Sequence, residues 1–102
     1  MTAQFRLTQP ATKDIEEIAD FIAQQAGLSQ SEAFLSKLES KFFNIVTFPQ
    51  IGRKRNEILT NVRSITLDKY LIFYLPIGED IEILRVVSGY RDLSRLFADP
   101  DE

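Results

Sequence analysis

The spacing of apolar residues changes twice along the chain. Over residues 3–8 it alternates: Ala3, Phe5 and Leu7 fall on one side and Gln4, Arg6 and Thr8 on the other, which predicts a short first strand. From there to residue 48 the period is helical. Ile15, Ile18, Ala19, Ile22 and Ala26 make one stripe, opened by Thr8 as a cap with Pro10 in the first turn and closed by Gly27. Ser29-Gln30-Ser31-Glu32 has the form of a capping box, in which the Ser oxygen and the Glu carboxylate each satisfy an orphan N–H. It predicts a second helix whose apolar face is Phe34, Leu35, Leu38, Phe42, Ile45 and Val46, ending at Phe48-Pro49. So short a link between helices of this length predicts an antiparallel hairpin.

Beyond Pro49 the segment QIGRKRNE is polar and predicts a loop. Three period-two segments follow: VRSITL at 62–67, KYLIFYL at 69–75 and DIEILRVV at 80–87. Asp68-Lys69 and Pro76-Ile77-Gly78-Glu79 are short enough to join antiparallel neighbours, so the three strands form a meander. Tyr70, Ile72 and Tyr74 share one face of the middle segment and Leu71, Phe73 and Leu75 the other. One such face is enough for a core, leaving the other to the helices or to a partner chain. In the last segment Ile81, Ile83, Arg85 and Val87 share a face opposite Leu84 and Val86, which predicts an interior strand with a charge beside the core. That guanidinium needs a partner, either internal (Asp92, Glu82 or the C-terminus) or functional. Asp92 caps a final short helix that returns Leu93, Leu96 and Phe97 to the body. The fold class is therefore α+β: an N-terminal strand, a two-helix hairpin, a three-stranded antiparallel meander and a short C-terminal helix. One domain covers residues 1–98, followed by an acidic tail at 99–102.

Composition narrows the chemistry. The 102 residues include no cysteine and no histidine, which removes disulfides, Cys/His zinc sites, Cys nucleophiles and imidazole-based triads. The four glycines stand singly at turn positions, so there is no phosphate-cradling loop, and neither a cofactor nor a metal is expected. No apolar run is long enough to span a membrane and MTAQFRLTQP lacks the core of a signal peptide, so a cytoplasmic location is expected. The net charge of -3 is uneven: residues 1–51 carry -2, residues 52–98 carry +2 and the last four carry -3. This is not a basic nucleic-acid binder. Asp14, Glu16, Glu17 and Asp20 fall early in the first helix, where acids suit the positive end of the dipole, and are expected as surface. The densest set of candidate functional residues is Arg53, Lys54, Arg55, Arg63, Lys69, Arg85, Tyr90 and Arg91, whose cations suit phosphate or carboxylate.

FPQIGRKRNEI, VRSITLDKYLIFY and IEILRVVSGYRDLSRLF, behind a helix beginning ATKDIEEIADFI, resemble the ParE branch of the RelE/ParE toxin superfamily of bacterial toxin–antitoxin modules. The resemblance covers nearly the whole chain. It implies a toxin that acts on DNA gyrase and blocks replication, with no active site of its own, neutralised by a ParD-type antitoxin. It further implies target contacts at Arg85, Tyr90 and Arg91, and antitoxin contacts at Phe21, Phe34, Tyr70 and Tyr74. The RelE branch, ribosome-dependent mRNA endonucleases, is the alternative; there Lys54, Arg63, Arg85 and Tyr90 would be catalytic. Without histidine, a lysine whose ordinary pKa is about 10.4 would need to be strongly depressed to act as general base. The long helices and the GYRDL segment resemble the ParE branch instead, although Ser88 stands where many relatives carry His. A third reading is a non-toxic relic that only binds antitoxin.

Overall fold

The computed structural model describes residues 3–89, in the order β1 (Phe5–Leu7), α1 (Gln9–Ala26), α2 (Leu28–Thr47), β2 (Arg53–Lys54), β3 (Arg63–Leu67), β4 (Tyr70–Ile77) and β5 (Asp80–Ser88). The segment expected to form a C-terminal helix, Asp92 to Phe97, lies outside the described residues. Thr8 caps α1 as its sequence suggests, its Oγ1 accepting the Ala11 N–H at 3.2 Å. The same hydroxyl donates to the Leu84 carbonyl at 2.9 Å, so the cap also fastens the start of α1 to β5.

The helical hairpin turns on a single residue. Gly27, at φ +96°, ends α1 and precedes α2, a conformation that L side chains rarely adopt. The expected capping box is not formed, because α2 already starts at Leu28 and Ser29 lies inside it. Ser31 is instead buried between the helices, where its hydroxyl donates to the Ala19 carbonyl at 2.7 Å. Such a bond contributes about 1 kcal/mol.

The sheet has five strands in the order β1-β5-β4-β3-β2. The meander is antiparallel as predicted, whereas β1 lies parallel to β5, with Phe5 opposite Ile81 and Leu7 opposite Ile83. β2 corrects the loop expected there: Arg53 and Lys54 pair with Ser64 and Arg63 and form the outer edge. β4 runs on through Pro76 to Ile77, so the hairpin turn shrinks to Gly78-Glu79, with Gly78 at φ +61°. Proline is tolerated because β3 pairs with β4 only as far as Tyr74, leaving no neighbour on that side to need its N–H.

β5 is interior, but its alternation is not the simple one expected. A bulge opposite Phe73 and Tyr74 leaves Leu84 without a partner in the register. Ile81, Ile83 and Val86 consequently face the helices, while Leu84 and Val87 join the other side. The main core lies between the hairpin and the sheet, where Phe34, Leu38, Phe42 and Ile45 of α2 meet Tyr70, Ile72 and Tyr74. Leu35, expected in that face, is exposed. On the opposite face Val62, Leu71, Phe73 and Val87 are also buried, with Ile58, Leu75 and Leu84 against them. Both faces of β4 are thus enclosed within the chain itself.

Candidate functional site

The cationic residues separate into two places. At the first, the Pro49–Gly52 loop after α2 is clamped against the sheet. The Tyr74 hydroxyl, on a side chain with no solvent exposure, donates to the Pro49 carbonyl and accepts the Gly52 N–H, both at 2.8 Å. Arg63 Nη1 donates to the Gly52 carbonyl at 2.7 Å and to the Gln50 carbonyl at 3.2 Å. Gly52 is required here by space: a Cβ would lie 2.6 Å from the Tyr74 hydroxyl and 2.9 Å from the Ser64 carbonyl. Desolvation pushes the Tyr74 phenol above its ordinary pKa, against the opposing effects of the Gly52 N–H and the Arg63 charge.

This clamp sets β2 against β3, with Lys54 opposite Arg63. The turn after β2 is held in its own way. Arg55 Nε donates to Ser64 Oγ at 2.8 Å, and its Nη1 lies 3.3 Å from Glu57. The Asn61 N–H, at a residue with φ +68°, bonds to Asn56 Oδ1 at 2.9 Å. A backbone N–H and the Arg55 guanidinium hold Glu57 below the usual carboxylate range. Between loop, turn and the tip of the β4–β5 hairpin lies a polar cleft lined by Lys54, Arg63, Gln50, Asn56 and Asn61.

The second place is the junction of β5 with α1. Arg85 donates from Nε and Nη2 to the two oxygens of Asp14, at 2.7 and 2.9 Å, and the Val86 N–H bonds to the same carboxylate at 3.0 Å. The side chains are only 20% and 11% exposed. Hydrogen bonding to Asp14 raises the Arg85 pKa further, with burial opposing. Asp14, expected as surface, is therefore an internal partner of Arg85; of the partners expected for that guanidinium, Asp92 and the C-terminus lie outside the described residues and Glu82 lies beside Arg6. Its position carried a signal: it follows Ala11 by three residues and precedes Ile18 by four, which puts it on the inward stripe of α1.

Of the residues expected at a target surface or a catalytic centre, the structure brings together Lys54 and Arg63, and holds Arg85 on the other side of β4. Tyr90 and Arg91 lie outside the described residues. Of those expected to meet an antitoxin, Phe21 is 51% exposed on α1, with the Lys69 ammonium 6.0 Å from its ring centre. Phe34, Tyr70 and Tyr74 are core residues, which corrects their placement at a surface. Phe34 packs edge-on against Tyr70 at 5.3 Å, and the Tyr74 hydroxyl is occupied by the clamp. Further exposed apolar residues, Phe43 and Phe48, flank the C-terminal half of α2. Among the described residues no helix is long and apolar enough to cross a membrane, and no three potential metal ligands converge.

A helical hairpin on a sheet of this topology is also found in chains of two toxin–antitoxin systems. The chain superposes on a chain of the chromosomal ParDE system from P. aeruginosa with a TM-score of 0.72 at 20% identity, covering 86% of this chain and 96% of that one. It also superposes on a chain of the E. coli RelBE toxin–antitoxin complex with a TM-score of 0.60 at 16% identity, covering 88% of this chain and 100% of that one. In sequence it is similar to Toxin ParE3 of Caulobacter vibrioides, 28% identical over 87 residues, or 85% of this chain and 87% of the relative. It is likewise similar to Toxin ParE1 of Mycobacterium tuberculosis, 29% identical over 96 residues, or 93% and 98%. The family described as the ParE toxin of the type II toxin–antitoxin system parDE matches residues 5–93, and the chain belongs to that family.

Proposed function

We propose that the chain arrests growth by binding DNA gyrase in the cytoplasm and that a ParD-type antitoxin neutralises it. The observation that carries this reading is the family match, which extends over residues 5–93 and so includes both the clamp and the Arg85 junction. The toxin acts by binding rather than catalysis. A ligand that prefers one state of an enzyme shifts its equilibrium without chemistry of its own, and stabilising the cleaved-DNA state of gyrase requires no more. The ribonuclease alternative needs Lys54, Arg63 and Arg85 around one phosphate. Arg85 is held instead by Asp14, across β4 from the other two.

The antitoxin contributes a segment that folds onto the toxin, the economical way to cover a small domain. Phe21, half in solvent beside Lys69, is the anchor of that contact on this side of the hairpin. The test incubates purified protein with gyrase, ATP and supercoiled plasmid, followed by detergent and protease. Linear DNA that requires both proteins is the expected product. Normal supercoiling with no linear product would overturn gyrase as the target.

A further inference from the structure

The clamp leaves one cationic feature unused by the fold. Arg63 spends Nη1 on two carbonyls, which fix its guanidinium without neutralising it, and Lys54 stands beside it on the adjacent strand. Among the described residues neither has a carboxylate within ion-pair distance, whereas Arg6, Lys37, Arg55 and Arg85 each have one. The cleft in front of them is also lined by Gln50, Asn56 and Asn61 and, among the described residues, by no acidic one. Two cations without a counter-charge among the described residues, in a concavity otherwise lined by neutral residues, form a receptor for anionic oxygen.

We propose that this cleft captures an acidic segment of a partner protein, Lys54 and Arg63 taking its carboxylates. The choice of a peptide over a nucleic acid rests on charge. A polyphosphate strand is held along a track of several cations, whereas this cleft presents two. A pair of cations in a cleft otherwise lined by neutral residues matches one or two carboxylates. The receptor is also preorganised: Tyr74 and Arg63 already hold the loop that forms one wall, so little ordering is left for binding to oppose. The inference does not depend on gyrase being the target.

The test titrates the purified, nitrogen-15-labelled chain with acetylated tetraglutamate peptide and follows its backbone amides by NMR; pentauridylate serves as the competing probe. The expected result is saturable shifts confined to residues 50–63 and 76–78. Lys54→Met should weaken the peptide about threefold to fivefold, the range of a single exposed ion pair, at unchanged melting temperature. Lys41→Met, on the exterior of α2, should leave affinity unaltered. Arg63→Lys, which keeps the charge but not the forked donor, should fall between. Three outcomes would overturn the proposal: no shifts, shifts spread over the lysines of α1 and α2, or pentauridylate binding at the cleft more tightly than the peptide.

Discussion

Arg85 and Arg63 are both strand arginines, and the protein uses them in opposite ways. Arg85 meets a carboxylate on α1 in a two-pronged pair, so its charge is consumed in joining helix to sheet. Arg63 is held by carbonyl oxygens of its own loop, which orient it yet leave its full charge on the surface. A paired guanidinium fixes architecture, whereas one bonded to neutral acceptors is positioned and still able to attract. The number of cations in a segment says nothing about this division. Only the chemistry of the acceptor does.

The largest expected effect comes from removing the acceptor of Arg85. Asp14→Ala removes both hydrogen bonds that Arg85 Nε and Nη2 make to the carboxylate and leaves the Val86 N–H without its bond, and should cost about 3 kcal/mol by chemical denaturation. A double substitution, Asp14→Leu with Arg85→Met, should recover much of that loss, because two apolar side chains leave no charge to desolvate at this junction. If the double variant is no more stable than the single, the charge does not dominate this junction. By the same logic any loss of toxicity in Arg85→Ala should be accompanied by loss of fold, measurable as a lower melting temperature.

The clamp at Arg63 should respond to smaller changes. Gly52→Ala drives a methyl group into the Tyr74 hydroxyl and the Ser64 carbonyl and should cost about 2 kcal/mol, in the range for overpacking a tight site. Tyr74→Phe removes one donor and one acceptor and strands the buried Gly52 N–H, for a loss of about 1–2 kcal/mol. That variant also carries a pH signature. The Tyr74 phenol titrates higher in the folded protein than in the unfolded chain, so its contribution is intact below about pH 10 and declines as pH rises through the folded value. Wild-type stability should therefore fall more steeply than that of Tyr74→Phe in alkaline denaturation curves. Parallel curves would mean that the hydroxyl is not the group that titrates.

Most of the architecture was legible because the periods are long and clean. Eighteen residues of α1 keep one stripe, and β3, β4 and β5 alternate within short turns. What escaped did so for local reasons. β2 has two residues, both cations, and no apolar pattern to announce it. The bulge at Leu84 is silent because Ile83, Leu84, Val86 and Val87 are all apolar, so a shift of face changes no residue class. The capping box failed because a positive-φ glycine lets the second helix start one residue after the first, which leaves Ser29 too late to cap it. Tyr70 and Tyr74 suggested a partner contact because both faces of their strand are apolar and one such face is enough for a core. Tyr74 is buried because a loop 22 residues earlier supplies its partners, a match that only the folded chain reveals.

The parallel pairing of β1 with β5 has a consequence for synthesis. Phe5 lies against Ile81, the Gln4 N–H reaches Asp80, and Thr8 bonds to Leu84, contacts that each span 76 residues. At about 5–20 residues per second a ribosome needs roughly 4–15 s to make that stretch. During that interval the first strand has no neighbour, and the start of α1 lacks both its anchor on β5 and the Arg85 partner of Asp14. A nascent chain of this design stays an unfinished domain until β5 emerges, which leaves time for a waiting antitoxin to meet the toxin as it folds.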